Sequence, residues 1–242
     1  RKGDESMEQT IRRSGQRRLV MALMMMTAGM MGAYTYLIRG GVFCNAQTGN
    51  LLLMGITFGS KGWKSALYYF IPFASYMAGT VVSEILRPKS VSSLRIQWAT
   101  IFSLMEIAVF VLVGFVPKSV PDSIIQCLIM FVAASQYNSF QKAGNITMAT
   151  TFCTNHVRQL GIHLYRWIQK RDAVSLSRVI THTVMIACFV IGAMSVSGFH
   201  QHLAEKTIWL AIGPTSLAAL IMLREDLEDW KIRHSSQINR RA

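Results

Sequence analysis

Long stretches without a single charged residue dominate this sequence and limit what it can fold into. The uncharged runs are 19–38, 65–83, 123–141, 179–204 and 207–223, which are between 17 and 26 residues long, and Glu106 alone interrupts 96–117. A helix needs about 20 mostly apolar residues to cross the hydrocarbon of a bilayer. In lipid it must also satisfy its own backbone hydrogen bonds, which favours helices. The runs therefore predict an all-α fold, a polytopic helical membrane bundle.

Charge is concentrated at the two ends of the chain. Residues 1–18 and 224–242 hold 18 of the 37 charged residues, and the net charge is +13. Such a charge can indicate nucleic acid, but here the basic residues flank apolar runs, which is typical of cytoplasmic loops and tails. We expect a basic cytoplasmic tail at 1–18, one transmembrane domain at 19–223 and a charged cytoplasmic tail at 224–242. The predicted location is the cell membrane, and no nucleic-acid partner is expected.

The residues that usually carry catalysis or metal binding form no recognisable pattern. Cys44, Cys127, Cys153 and Cys188 lie in or beside apolar segments without a C-x-x-C spacing, so small buried hydrophobic side chains are the expected role. No nucleophile–base pair or phosphate loop is evident. The sequence therefore predicts no enzyme activity, no cofactor and no metal site.

Eight hydrophobic segments can be read along the chain, and two of them are unusually polar. The segments are 19–38, 41–59, 65–86, 96–116, 123–141, 144–163, 176–198 and 207–223. The second and sixth carry several Asn, Gln, Thr and His residues, which a lipid-exposed helix would not tolerate. A shift of 106 positions places Thr48-Gly49-Asn50 on Thr154-Asn155-His156. This correspondence predicts two internal repeats, at about 19–116 and 123–223.

The number of membrane spans depends on the two polar segments. If both are short or re-entrant, six spans remain and the two repeats have opposite orientations. If both cross the membrane, there are eight spans and the repeats are parallel. Either arrangement places 18 Lys and Arg residues inside and both termini in the cytoplasm. We favour six spans plus two short or re-entrant helices because of their polarity.

Two ordered motifs give the chain a family resemblance. The first is Gly41-Val42-Phe43 followed by Thr48-Gly49-Asn50-Leu51 and Gly55. The second is Gln136-Tyr137-Asn138-Ser139-Phe140 followed by Thr150-Thr151-Phe152-Cys153-Thr154-Asn155. Both resemble signatures of the YoaK-like family of multi-pass membrane proteins. The resemblance covers essentially the whole chain and implies architecture, but it implies no substrate.

The first motif has the composition of a binding site at the start of a helix. Thr48 is expected to cap the first turn, Gly49 permits close backbone approach, and free N–H groups there favour an anion or a carbonyl. Half-helices that meet near the midplane form the sites of many secondary transporters. Thr154 and Asn155 are the corresponding residues of the second motif. The alternative is that Thr48 and Asn50 only cap the helix and satisfy each other.

Three further residues complete the predicted site. Gln136 and Asn138 belong to a polar cluster at the end of the fifth segment, where such residues either bond helices together or line a site. Glu106 lies near the middle of its span, and an intramembrane carboxyl group is a proton or cation site by default, or a protonated group bonded to another helix.

The sequence predicts a transporter or permease of a small polar or anionic solute. The alternative is a membrane scaffold or partner-binding subunit that transports nothing. The lipid bilayer is the expected partner, and the oligomeric state stays open.

Overall fold

The structure is a computed structural model of the chain. It describes the backbone of residues 2–86, 96–140, 142–143, 146–147 and 153–238, and side chains within 15–86, 96–140 and 153–232. In chain order the elements are α1 Lys2–Leu37, α2 Gln47–Lys61, α3 Trp63–Leu86, α4 Trp98–Phe115, α5 Asp122–Ser139, β1 Lys142–Ala143, β2 Ile146–Thr147, α6 Cys153–Lys170, α7 Ala173–Leu203, a 3₁₀ helix Ala204–Ala211 and α8 Ile212–Ile238. Because β1 and β2 only form a short antiparallel pair, the predicted helical class is confirmed.

Several helices have the length and composition of membrane spans. Four described stretches qualify: Gly15–Leu37, Trp63–Leu86, Trp98–Phe115 and Ala173–Ile232, the last of which joins α7, the 3₁₀ helix and α8. Large apolar side chains point outward from these helices, and Ile85 and Leu112 are 73% and 63% exposed. Water does not favour such a surface, whereas lipid does. Helix α5 differs because its polar side chains, including Gln126, Gln136 and Asn138, are buried inside the bundle.

Two close helix pairs form the centre of the bundle, and each depends on a glycine. Helix α1 packs on α7, and α3 packs on α5. A Cβ atom on Gly192 of α7 would overlap the backbone of Met26 on α1, and one on Gly79 of α3 would overlap the backbone of Phe131 on α5. Only glycine permits this approach, as in other membrane helix pairs.

Further contacts join the remaining helices to these pairs and to one another. Helix α2 packs on α3, and α6 packs on α7. Helix α4 packs on α8, and the Asp226 carboxylate near the middle of α8 accepts bonds from the Gln97 N–H (2.9 Å) and the Thr100 hydroxyl (2.7 Å) at the start of α4. Trp209, just before α8, donates from its indole N–H to the Val111 carbonyl oxygen (3.2 Å) near the end of α4. Helices α4 and α8 are therefore antiparallel.

The segment between α1 and α2 runs back along α1. The Cys44 N–H donates to the Thr35 hydroxyl (3.2 Å), and the Asn45 amide donates to the Ala28 carbonyl oxygen (2.9 Å). Ala28 lies ten residues before Ile38, which corresponds to about 15 Å along a helix. Helix α2 therefore starts beside the middle of α1. Tyr68 near the start of α3 donates to the carbonyl oxygen of Gly40, just after α1 (2.9 Å). Helix α2 thus runs back towards the C-terminal end of α1.

Candidate functional site

The first motif is held by its own loop. The Phe43 N–H donates to Asn50 Oδ1 (3.0 Å), while Asn50 Nδ2 donates to the Phe43 carbonyl oxygen (2.6 Å) and to Gln47 Oε1 (3.2 Å). Asn50 is buried, but Thr48 is exposed. Helix α2 begins at Gln47 after Ala46, which provides no side-chain cap, so Thr48 does not cap it as predicted. A Cβ atom at Gly49 would be in ordinary contact with the Phe43 ring (3.6 Å). Asn50 thus fixes the loop that precedes α2.

The second motif places a different residue in the buried position. Thr154 is exposed, and Asn155 is half-buried with its Oδ1 3.5 Å from Arg158 Nη2. The residue that the shift aligns with Asn50 is His156, which is completely buried. Its Nδ1 lies 2.9 Å from Nδ1 of His182 on α7. The motif therefore contacts the neighbouring helix through a titratable ring.

The polar cluster on α5 joins that helix to its neighbours. Gln136 Nε2 donates to the Met24 carbonyl oxygen on α1 (2.9 Å), and Asn138 Nδ2 donates to Ser83 Oγ and Glu84 Oε2 on α3, each at 3.0 Å. Gln136 Oε1 is buried and has no hydrogen-bond partner among the described residues. Interhelical bonds of this kind contribute about 0.6–2 kcal/mol each. The cluster therefore links helices, and Gln136 keeps one acceptor unused.

Glu106 is the most unusual of the predicted residues. It is completely buried, and neither carboxyl oxygen has a hydrogen-bond partner among the described residues. It shares the buried face of α4 with Thr100 and Ser103, and it lies within electrostatic range of Cys44 in the loop before α2. An unpaired buried carboxylate is costly. The group is therefore suited to hold a proton or to meet a cation.

A cavity of about 270 Å³ opens at the end of the bundle where α4 begins. It is lined by Arg17, Val20, Met21, Gln97, Ala99, Thr100, Ser139, Phe140, Met222, Glu225, Asp226 and Asp229. Thr100 is six residues before Glu106, which corresponds to about 9 Å along α4. The face of α4 therefore leads from the cavity to the buried carboxyl group.

The opposite end of the bundle is closed by a network around Arg39. This side chain is completely buried, and it donates from Nε to the Tyr34 hydroxyl (3.1 Å) and from Nη2 to the Val116 carbonyl oxygen (2.7 Å). Its Nη1 lies 3.7 Å from Asp122, whose two oxygens each accept from Lys118 Nζ at 3.0 Å. Arg39 directly follows an apolar run, and that pattern does not distinguish a loop residue from a buried one.

Two cavities can be compared with the positions of the predicted site residues. A second cavity, of about 370 Å³ and mostly apolar, lies between α1 and α7 and includes Phe43, Asn45 and Ser197 in its wall. Neither of these two cavities, both formed by described residues, is lined by any of the eight predicted residues. Glu106 and Gln136 are the two whose buried oxygens lack described partners.

The fold and the apolar surface define a multi-pass helical membrane protein. The chain belongs to the family of proteins of unknown function DUF1275, which matches residues 20–221. It is also similar to the UPF0700 transmembrane protein YoaK of Bacillus subtilis, with 21% identity over 201 residues that cover 81% of this chain and 89% of that protein. The resemblance to a YoaK-like membrane family is thus confirmed. No solved structure matches the chain.

Proposed function

We propose that this chain is a transporter or permease of a small polar or anionic solute, with Glu106 as a proton or cation site. The observation that carries the proposal is a buried carboxyl group without described partners, halfway along a membrane helix and about 9 Å beyond a polar cavity. Intramembrane carboxyl groups commonly mark ion and proton pathways. The cavity is lined by Arg17 and by the carboxyl groups of Glu225, Asp226 and Asp229, which attract a cation to its mouth and so support a proton or cation site at Glu106.

We infer six spans built from two repeats of opposite orientation. Supporting this, α1 packs on α7 as α5 packs on α3, and α2 packs on α3 as α6 packs on α7. The glycine contacts also correspond, because Gly192 meets the backbone of Met26 while Gly79 meets that of Phe131. The loop that follows α1 down to Ala28 favours a re-entrant α2. An equivalent α6 would leave α1, α3, α4, α5, α7 and α8 as the spans.

Both termini are proposed to be cytoplasmic. Asp226, in the second half of α8, contacts Gln97 at the start of α4, and Arg17 and Asp226 line the same cavity. The beginning of α1 and the end of α8 are therefore at one end of the bundle. The excess of Lys and Arg in the two tails favours the inner side for that end.

Purified protein tests the proposal directly. A panel of small organic and inorganic anions is screened for a rise in Tm at pH 6 and pH 8, and active compounds are then assayed for uptake into proteoliposomes that contain a pH-sensitive dye. We expect uptake accompanied by a change in internal pH, and we expect Glu106→Gln to remove that pH change. Glu228→Gln, at an exposed position on α8, is the matched control and should behave as the parent chain.

A transporter without a proton site would move solute equally well after Glu106→Gln, and this result would remove Glu106 from the mechanism. If no compound in the panel raises Tm or enters the liposomes, the transport proposal fails for that class of solute.

A second candidate is a membrane scaffold that transports nothing. It is favoured by Asn50 and Asn138, whose amides bond protein groups within the bundle. For a scaffold, Asn50→Ala and Asn138→Ala should lower Tm without changing any ligand-dependent stabilisation. For a transporter whose site includes these amides, they should reduce the stabilisation by the active compound.

A further inference from the structure

Three histidines meet between α6 and α7. His156, His163 and His182 are 0%, 5% and 1% exposed. The Nδ1 atoms of His156 and His182 are 2.9 Å apart, so one of them donates a hydrogen bond and the other accepts it. The ring of His163 stacks on that of His182, with centroids 6.0 Å apart and planes inclined by 8°. Nδ1 of His163 is buried and has no described hydrogen-bond partner.

Helix α6 depends on this contact for its position. In the described part of the chain, α7 is the single helix against which α6 packs. The two buried polar side chains that α6 directs towards the bundle are His156 and His163. The charged side chains Arg158, Arg166 and Lys170 of α6 are exposed. The histidines therefore form the polar part of the surface that holds α6 on the bundle.

The charges around the cluster oppose a further positive charge. Helix α6 contributes Arg166, α7 contributes Arg178, and the turn between them contributes Asp172. On the other neighbours of α7, Arg18 of α1 lies 3.5 Å from Ser177, and Glu205 and Lys206 belong to the 3₁₀ helix at the far end. Burial, followed by the charges of Arg178 and Arg166, lowers the pKa of His163, while Asp172 acts in the opposite direction.

We propose that His156, His163 and His182 form a proton-binding site whose neutral state holds α6 against α7 and whose protonation releases α6. This inference concerns the docking of one helix and does not depend on transport. The ligand is the proton itself, supplied by water at the polar edge of α6.

The hydrogen bond explains why successive protons weaken the contact. The Nδ1–Nδ1 bond leaves each ring one further nitrogen, Nε2. A first proton makes one ring an imidazolium that still donates across the bond, but it places a charge in a buried site beside two arginines. A second proton turns both Nδ1 atoms into donors that face each other, and the bond is lost. Undocking exposes the rings to water, where the imidazolium is stable.

A proton fits this geometry better than a metal ion does. Two imidazole nitrogens on one tetrahedral zinc ion lie about 3.3 Å apart, given Zn–N distances of 2.0–2.1 Å. The 2.9 Å separation is instead that of a direct hydrogen bond. Among the described residues, no group of three or more His, Cys, Asp or Glu side chains has an arrangement suited to a metal.

The test compares the pH dependence of stability in the parent chain and in His182→Asn. Asparagine carries its amide at the position of Nδ1, so it retains a hydrogen bond to His156 without a titrating ring. For the parent chain in detergent we expect Tm to fall by about 4–8 °C between pH 7.5 and pH 5.0. Isolated histidine titrates near pH 6.5, which places the fall in this range. His182→Asn should lose at least half of the fall.

A spin-label distance between the exposed positions Tyr165 on α6 and Leu220 on α8 should lengthen or broaden at pH 5.0 in the parent chain only. His202→Gln, at the exposed end of α7, is the matched control and should retain the full pH dependence. If His182→Asn does not fold, His156→Asn provides the same test from the other ring. An unchanged fall in Tm in the asparagine variants, or a distance that does not respond to pH, would overturn the proposal.

Discussion

Helices α2 and α6 each pack on the helix that follows them in the chain, but they are held in place by different side chains. Asn50 bonds both the N–H and the carbonyl oxygen of Phe43 in the loop before α2. At the aligned position, His156 bonds His182 on the next helix. An amide keeps its hydrogen-bonding character over the whole physiological pH range, whereas an imidazole changes its charge within it. We therefore expect the attachment of α2 to be independent of pH and the attachment of α6 to weaken as the pH falls.

The two proposed repeats differ in this fastening but are alike in another feature. Each includes a close glycine contact, between α3 and α5 in one case and between α7 and α1 in the other. We expect the glycine contacts to determine the packing of the long helices, and the residue at the start of each short helix to determine whether its attachment depends on pH. Substitutions at the two kinds of position can therefore separate packing from pH dependence.

The largest effect is expected from the two glycines. Gly79→Ala and Gly192→Ala should each lower the free energy of unfolding by about 3 kcal/mol or more, because the new methyl group overlaps a backbone carbonyl group on the partner helix. Thermal unfolding followed by tryptophan fluorescence measures the loss. Gly59→Ala is the control, since open space surrounds that position and the substitution should be neutral or stabilising by up to about 1 kcal/mol. If one substitution greatly lowers the free energy of unfolding and the other does not, the two glycine contacts are not equivalent, which would contradict the proposed repeats.

A smaller loss is expected at the first motif. Asn50→Ala removes both bonds to Phe43 and leaves two half-buried backbone groups without their partner, at a cost of about 1–3 kcal/mol. The loss should be the same at pH 5.5 and pH 7.5, which distinguishes it from substitutions in the histidine cluster. Thr48→Ala, two residues earlier and exposed, should change stability by less than about 0.5 kcal/mol. A strongly pH-dependent loss from Asn50→Ala would contradict a pH-independent attachment of α2.

The smallest effect concerns the turns that follow α2 and α6. The first turn uses Gly62, and the second uses Asp172, whose side chain accepts the Ser175 N–H (2.7 Å) as the N-cap of α7. This bond lowers the pKa of Asp172, so the ionised side chain stabilises the fold above its unfolded pKa, and the stabilisation disappears as the pH falls through the lowered value. Asp172→Asn should lower Tm by a degree or two at pH 7.

Because Asn also caps helices, the difference from the parent chain should vanish near pH 3. If the difference persists there, the charge of Asp172 is not its cause.

The sequence predicted where helices occur because a helix that crosses lipid needs a long run of apolar residues, which is visible in the sequence. The segment 65–86 corresponds to Trp63–Leu86 and the segment 123–141 to Asp122–Ser139. The sixth segment, predicted to begin at 144, becomes helical only at Cys153 within the described residues. The two internal repeats stay a prediction that rests on the 106-residue spacing between Thr48-Gly49-Asn50 and Thr154-Asn155-His156, since few residues are identical.

The contacts of individual polar groups were not predictable in the same way. His182 carries no local signal, because its partner lies 26 residues away and meets it only after α6 folds back on α7. Asn138 was correctly recognised as a polar residue that faces protein, but Ser83 as its partner follows from the pairing of α3 with α5. Such contacts depend on which helices become neighbours, and a linear pattern does not record that.

The network around Arg39 has a mechanical consequence. Its bonds to Tyr34, Val116 and Asp122 tie together the ends of α1, α4 and α5 on the side opposite the 270 Å³ cavity. The bundle therefore has a cavity at one end and a network of polar contacts across the other end. In the proposed transporter, a path through the end that Arg39 closes requires the guanidinium to exchange all of these partners, so Arg39 would set the energetic barrier to opening that end.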